Sequence, residues 1–443
     1  MLYRKIENPI RDFLQGPRDK VLVVQGARQI GKSYIIRHVG QELFQNYIEL
    51  NLVEDKEGDR QFANVHTIDD FYLRLSLLAG DKMMGNRDDT LVFLDEIQEY
   101  PQLLTLLKFL NADRRFTFVA SGSLLGITLG STTSIPVGSL RIMDMYPLDF
   151  VEFLRANSVG EYAVDVIRKK CMQGESLDEA MHNRLISLWK KYLLVGGLPD
   201  AVNKFIATQN IVEVRKIQQD IIRLYTADAS KYDKEHKLVI KRVYELIHSN
   251  MENKRKRVVL RDIEEKKGVR YSTYMEEFEY LVSSGIALDV MAISNPKYPL
   301  SESVTKNLLK LYLNDPGLLS SILYGRDAEA VLDDRLSINL GALYETGVAV
   351  QLKASGHNLY YYDNKKKGEV DFLINDRERQ TILPIEVKSG KDYKIHSAID
   401  GFVDTEDYGI KQAVVLSNNR KVETVGKISY LPVYYTPFLT SNG

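Results

Sequence analysis

The apolar run Val21-Leu22-Val23-Val24 passes straight into Gly26-Ala27-Arg28-Gln29-Ile30-Gly31-Lys32-Ser33, and this junction constrains the fold more than any other stretch. Consecutive apolar, mostly β-branched residues suit a strand buried on both faces. The two glycines let the backbone bend until successive N–H groups face one point, and a helix beginning there adds its positive end. That is a cradle for phosphate. The GxxxxGKS spacing assigns Lys32 to the β- and γ-phosphates and the Ser33 hydroxyl to Mg²⁺, so Gly26 through Tyr34 are the expected ATP-binding stretch.

A loop of this length also arises by chance, so its partner matters. Leu91-Val92-Phe93-Leu94 reads as a second buried strand and runs into Asp95-Glu96. Two carboxylates at a strand's C-terminal end lie where open α/β sheets bind ligands. Asp95 is the expected Mg²⁺ partner, and Glu96 the residue that orients or deprotonates the attacking water. A merely solvated strand end is the alternative, and the upstream loop weighs against it.

Further short runs, Tyr47-Ile48-Glu49-Leu50 and Phe116-Thr117-Phe118-Val119-Ala120, alternate with helical stretches up to about Phe150. Such alternation implies an α/β domain with a parallel sheet covered on both faces. After the last run comes Ser121-Gly122-Ser123. In a P-loop ATPase of the AAA+ kind a polar residue there senses the γ-phosphate, which makes Ser121 or Ser123 the candidate; a plain turn is the alternative.

Among 443 residues, 59 Lys and Arg nearly balance 60 Asp and Glu, so no global field argues for nucleic acid or membrane. DNA binding would have to come from local patches. The single cysteine, Cys171, excludes an internal disulfide framework, reads as a buried filler and fits a cytoplasmic protein. Neither a signal peptide nor an apolar run long enough to cross a bilayer is evident.

Four domains are expected: an ATPase domain over 1–155, a helical subdomain over 156–235, a winged-helix-like domain over 236–322 and a second α/β domain over 323–443. Leu185 through Leu194 carries an apolar helix face broken by Gly196-Gly197-Leu198-Pro199. From Leu238 to Leu288 the order is helix, basic Lys254-Arg255-Lys256-Arg257, short Val258-Val259-Leu260, helix, then an amphipathic helix from Tyr271 to Ser283, which fits a winged helix-turn-helix. In a DNA-binding version Tyr271 to Met275 would open the recognition helix, and Lys254 to Arg257 with Lys266, Lys267 and Arg270 would meet phosphates. A protein-docking module with a solvated basic surface suits the same residues.

Near the C-terminus, strands are expected at 358–362, 369–374, 383–388 and 412–416, with helices around 341–352 and 397–403. Asp371 lies on the second strand, and Glu386-Val387-Lys388 on the third. Side chains alternate along a strand, so Glu386 and Lys388 share a face, and a hairpin would bring Asp371 beside them. Two carboxylates that hold Mg²⁺, with a lysine to orient water, are chemistry for phosphodiester cleavage. Glu345, on the preceding helix, would complete the metal shell. Cross-strand ion pairs on a half-exposed sheet are the alternative, against which stands the cost of burying charge among apolar strands.

With these residues together, nearly the whole chain resembles a prokaryotic family of AAA+-like P-loop ATPases that carry a C-terminal domain of unknown function similar to PD-(D/E)xK nucleases. The likeness rests on Gly26 to Ser33, Leu91 to Pro101, Ala120 to Ser123, Pro147 to Phe153, Gly196 to Pro199, Tyr312 to Leu318, Gly368 to Phe372 and Pro384 to Lys388. It implies a P-loop NTPase parallel sheet, a helical subdomain, a winged helix-turn-helix and a restriction-endonuclease-like α/β domain. Asp371, Glu386 and Lys388 match the nuclease-like core, Glu345 matches its helical glutamate, and Arg141 stands where relatives carry an arginine that acts as a finger on ATP. This sequence has Val-Gly-Ser-Leu-Arg there in place of the more usual Leu-x-Gly-Arg. The expected activity is ATP hydrolysis with Mg²⁺ on or near DNA, nucleotide state controlling the C-terminal site. The competing expectation is an ATP-driven switch or protein-remodelling module whose C-terminal domain binds a partner and cuts nothing. Candidate partners are DNA, a protein and further copies of the same chain.

Overall fold

The computed structural model describes residues 2–123, 137–229, 237–253, 256–264, 270–325, 327–332, 340–364, 367–390, 394 and 397–440. It forms two compact units, one built from Arg4–Tyr146 with Ser283–Gly285, the other from Met1–Tyr3, Pro147–Val282 and Ile286–Gly443.

The first unit holds strands β1 (Val21–Gln25), β2 (Asn46–Asn51), β3 (Thr90–Asp95), β4 (Thr117–Gly122) and β5 (Leu140–Asp144), in the order β2-β3-β4-β1-β5. Every pairing in this sheet is parallel. Parallel strands need crossovers, and helices Lys32–Leu43, Ile68–Ala79 and Pro101–Asp113 run in them. Side chains from β1, β3 and β4 (Val21, Val23, Val92, Leu94, Phe118, Ala120) pack with Phe71, Leu75, Leu103 and Leu107 from the helices. Burying each larger one is worth about 1.5–3 kcal/mol. β4 runs two residues further than the sequence suggests, so Ser121 is a strand residue opposite Val24. The sequence reading lacks β5 altogether: Leu-Arg-Ile-Met-Asp is largely exposed at the sheet edge and shows no buried apolar run.

The second unit is built on a mixed eight-stranded sheet with the order β12-β13-β11-β10-β9-β8-β6-β7. These are β6 (Ala287–Ile293), β7 (Val304–Leu313), β8 (Leu359–Asn364), β9 (Gly368–Asp376), β10 (Thr381–Val387), β11 (Ala413–Ser417), β12 (Glu423–Val425) and β13 (Ile428–Pro432). The β6–β7 pair, which would be the wing of a winged helix, pairs through β6 with β8, Val290 opposite Leu359. One sheet therefore runs across residues 322 and 323. Val258-Val259-Leu260 forms no strand, and Tyr271–Tyr274 is a 3-10 turn ahead of helix Met275–Ser283. Of the expected phosphate contacts, Lys254, Arg255, Lys266 and Lys267 lie outside the described residues. Lys256 and Arg257 are instead committed to carboxylates, Lys256 to Glu345 and Arg257 to Asp363 at 2.9 Å. Arg270 is exposed.

Three of the sequence motifs meet in one joint of this unit. Gly197 N–H donates to Asp315 Oδ2 at 2.6 Å, and Leu148 N–H donates to the Gly197 carbonyl at 2.7 Å. Asp315 also caps helix Pro316–Tyr324 by accepting from Leu318 N–H at 3.0 Å. Gly196 sits at φ 77°, and a Cβ there would lie 2.0 Å from Asp315 Oδ1. Nearby, the buried Arg215 guanidinium serves the carbonyls of Gly325, Leu194 and Gly317 and the side chains of Gln218 and Ser320. Cys171 is buried, its thiol pointed at the Tyr435 and Phe438 carbonyls and its pKa pushed up to about 12 by burial.

Candidate functional site

In the first unit, β1 ends at Gln25 and the loop begins with Gly26 at φ 153°, where a Cβ would collide with the Met145 carbonyl at 2.2 Å. Gln29 and Gly31 both take left-handed conformations, at φ 61° and 93°, and Gly31 is the residue from which helix Lys32–Leu43 starts. Ala27 and Ile30 are buried, Arg28 is partly so, and Tyr34 is 55% exposed. Lys32 Nζ turns back into the loop and donates to the carbonyls of Gly26 (3.0 Å) and Ala27 (2.8 Å). Burial pushes its ammonium below the ordinary value, opposed by the charges of Glu96 and Asp95. A buried cation with two carbonyl acceptors is poised to exchange them for phosphate oxygens.

The β3 terminus meets this loop from the side. Ser33 Oγ donates to Asp95 Oδ2 at 2.6 Å, and Ser121 Oγ donates to Asp95 Oδ1. Asp95 is thus clamped from both sides, with Ser33 and its Oδ2 forming the pair that would hold Mg²⁺; the bound ion would neutralise phosphate charge. Ser121 is spent on orienting this carboxylate, whereas Ser123 lies just past the end of β4, its N–H donating to Gln98 Oε1 at 3.3 Å. Glu96 follows in the left-handed region at φ 56°, and Gln98 Nε2 donates to its Oε2 at 2.5 Å. Gln98 therefore links Glu96 to Ser123 at the end of β4. It stands in the Asp-Glu-Ile-Gln run of the sequence, but only the tight turn Ile97–Glu99 brings it back. Arg4 has no local signal at all: its buried guanidinium bridges the carbonyls of Ile30 (2.7 Å) and Tyr146 (2.6 Å) and so pins the loop. Arg141 lies on edge strand β5, level with Leu22 and exposed, about 10 Å short of the strand ends at 3.3 Å per residue.

In the second unit, antiparallel β9 and β10 set Phe372 opposite Ile385, so Asp371 and Glu386 are neighbours one step on. Asp371 Oδ2 accepts from Val387 N–H at 2.8 Å, and Lys388 Nζ donates to Glu386 Oε1 at 2.8 Å. Glu386 Oε2 is buried with no hydrogen-bond partner. Burial pushes the Glu386 carboxyl up to about 8, with Asp371 adding to the rise and Lys388 opposing it. Burial works to lower the Lys388 ammonium, yet Glu386 and Asp371 hold it above its ordinary value. Glu345, on helix Gly341–Ala354, is also raised by burial and by Asp371. Its Oε1 accepts from Lys256 and its Oε2 from the Tyr312 hydroxyl at 3.2 Å. Among the described residues no three His, Cys, Asp or Glu side chains converge closely enough to hold a metal ion. Glu345, Asp371 and Glu386 share one neighbourhood, then, without forming a three-carboxylate metal shell.

Residues 18–154 match a family described as AAA domain. Residues 186–329 and 340–436 match two families described as Domain of unknown function, DUF8612 and DUF4143. With the Lys32, Ser33 and Asp95 geometry, the first match makes the first unit an AAA-type P-loop domain, and ATP binding and hydrolysis with Mg²⁺ are the activity that such a domain implies. No curated protein matches the chain. Among solved structures, the Walker-type ATPase PABY2304 of Pyrococcus abyssi is similar at 12% identity over 72% of this chain and 95% of its own, with a TM-score of 0.42. The RuvB Holliday junction branch migration motor of Thermotoga maritima is similar at 14% identity, over 65% of this chain and 89% of its own, with a TM-score of 0.29. Cdc6p from Pyrobaculum aerophilum is similar at 12%, over 74% and 93%, with a TM-score of 0.25. TM-scores this low leave the functional reading to the sites themselves. No helix among the described residues is long and apolar enough to cross a membrane.

Proposed function

We propose that this protein is a cytoplasmic, ATP-hydrolysing AAA-type ATPase that acts on or near DNA, its nucleotide state controlling a C-terminal PD-(D/E)xK nuclease-like site. The observation that carries the ATP half is the cluster of Lys32, Ser33, Asp95 and Ser121 around the loop. In this reading Lys32 releases the Gly26 and Ala27 carbonyls to meet the phosphates. Ser33 and Asp95 hold the metal, and Glu96, steered by Gln98, orients the attacking water or takes its proton. Arg141, exposed on the edge strand, serves better as a finger on a neighbouring copy's ATP than on its own. That role calls for a homo-oligomer.

The DNA half is supported by the buried, partly unpartnered Glu386 between Asp371 and Lys388. Lys388 would hold or orient a water at the phosphodiester, and the two carboxylates would supply the negative field for a cation. A second reading, in which the C-terminal domain only binds a partner, is favoured by one observation: Glu345 is already neutralised by Lys256. Supercoiled plasmid incubated with protein and Mg²⁺ or Mn²⁺, with and without ATP, separates the two. Nicking by the wild type that is lost in Lys388→Ala supports the first. Intact plasmid under every nucleotide condition, with ATPase activity indifferent to DNA, supports the second.

A further inference from the structure

A cleft of about 670 Å³ opens in the second unit, and Leu383, Val414 and Leu431 line it. Ile385 pairs opposite Val414 and Leu416 opposite Leu431, so these three side chains project from one face of β10, β11 and β13. Glu386 is out of phase with Leu383 along β10 and projects from the other face. The cleft and the carboxylates around Glu386 therefore lie on opposite sides of one sheet. The volume falls in the range of about 300–1,000 Å³ that suits a small-molecule ligand.

Charge comes from the surrounding elements: Arg168 on helix Glu161–Met172, and Asp376, Arg377, Glu378 and Arg379 where β9 turns into β10. Asp376 and Arg379 serve each other, through the Arg379 N–H at 3.1 Å and its guanidinium at 3.0 Å. Arg168 is not so served. Its guanidinium lies 5.6 Å from the centroid of the Phe438 ring, and its buried Nε has no hydrogen-bond partner among the described residues. Its ion pair with the exposed Asp165 is 3.8 Å long, and such a pair contributes little. Arg377 is exposed and carries no ion pair among the described residues. His357 shares a hydrogen bond with Thr440 Oγ1 at 2.8 Å, and burial together with Arg377 lowers its imidazolium, Asp376 opposing, so it adds no charge near neutral pH. Three arginines against two carboxylates leave the cleft with one excess positive charge.

An apolar lining beside two underused guanidinium groups fits a ligand with one negative charge and an apolar body. A nucleotide brings several charges and would set phosphate against Glu378, and an uncharged ligand would leave both arginines unused. We infer that this cleft is a binding site for a small organic carboxylate, its carboxylate on Arg168 and Arg377 and its apolar body over Leu383, Val414 and Leu431. Because it lies on the other face of the sheet from Glu386, the site stands whether or not the carboxylate cluster cuts DNA.

Calorimetric titration of the full chain with decanoate, below its micelle concentration and without nucleotide, tests this. Wild type is expected to bind decanoate at one site, and to bind decan-1-ol and acetate more weakly, since the first lacks the charge and the second the apolar body. Arg168→Gln combined with Arg377→Gln should weaken decanoate binding about tenfold to a hundredfold, whereas Arg223→Gln, on an exposed helix face elsewhere in the unit, should match wild type. Glu378→Gln removes the opposing charge and should tighten binding about twofold to fivefold. The position is read separately from methionine methyl resonances. Met172, which lines the cleft, should shift with decanoate, with its signal assigned by Met172→Leu, while Met84 of the first unit stays in place. If the double arginine variant does not fold, the Glu378→Gln gain and the Met172 shift decide the matter. No decanoate binding by wild type overturns the inference, as does decan-1-ol binding as tightly as decanoate. An unmoved Met172 signal at saturation, or equal affinity in wild type and a folded double variant, overturns it too.

Discussion

At the scale of single residues, the ATP site as proposed divides its work between groups that would touch phosphate and groups that would aim them. Lys32→Ala removes the buried ammonium that now rests on two loop carbonyls, and tight ATP binding should be lost in equilibrium titration with a fluorescent ATP analogue. Glu96→Gln keeps the shape and loses the base, so ATP should bind as in wild type while single-turnover hydrolysis falls about 10²- to 10⁴-fold. Wild-type turnover in Glu96→Gln would remove Glu96 from the mechanism. Gln98→Ala frees Glu96 without altering its charge and should lower turnover less, with unchanged affinity. The C-terminal site carries its own pH signature. The Glu386 carboxyl, ordinarily near 4.5, is pushed up to about 8 by burial, so the folded chain holds a proton there that the unfolded chain has released. Stability due to this group therefore falls as pH rises from about 4.5 to about 8. Urea unfolding at about pH 5.5 and about pH 8.5 should show Glu386→Gln losing less stability than wild type across that interval. Lys32, Ser33 and Asp95 were legible in the sequence because fixed spacing after a buried strand leaves them one place to go. Ser121 was legible as a polar residue but not as a clamp on Asp95, and Arg4 not at all, since its partners are carbonyls distant in sequence.

At the scale of elements, several motifs of the sequence turn out to be structural. Gly196-Gly197 and Asn314-Asp315-Pro316-Gly317 read as a helix break and an unassigned motif, but they are the two halves of one joint. Asp315 is fully buried and pushed up to about 6 by burial, even though the N–H groups of Gly197, Leu318, Gly317 and Leu198 pull the other way. Removing it strands those donors and uncaps helix Pro316–Tyr324, so Asp315→Ala should cost about 2–4 kcal/mol in denaturant unfolding, with the ATP site unaffected. Loss of under about 0.5 kcal/mol would show that the joint is not a structural keystone. Central strands such as β1 and β3 were legible because both faces are buried; β5 and β12 escaped because edge position or brevity dilutes the pattern, whereas β13 is internal and buried and was simply not read. The β6–β7 hairpin was hidden for a different reason. Its pairing partner β8 begins at Leu359, and periodicity within a window says nothing about partners so far along the chain.

At the scale of the whole molecule, the two units keep separate sheets and separate cores, the first around Phe71 and Phe118 and the second around Tyr362 and Phe402. A ligand that binds only one folded unit stabilises that unit by mass action, by about 2.7 kcal/mol at a hundredfold excess over Kd. Calorimetry with Mg²⁺ and a slowly hydrolysed ATP analogue should therefore raise one unfolding transition, and Lys32→Ala should erase that rise while leaving the other transition where it was. Nucleotide control of the C-terminal site demands more than this. If ATP state reaches Lys388, then Lys32→Ala must remove the nucleotide dependence of plasmid nicking without removing Lys388 chemistry, and Lys388→Ala must spare ATP hydrolysis. Glu96→Gln, held in the ATP-bound state, then decides the sign of the coupling: nicking locked on means that bound ATP licenses the C-terminal site, and nicking locked off means that hydrolysis does. Nicking identical in wild type, Lys32→Ala and Glu96→Gln would leave two active units with no traffic between them.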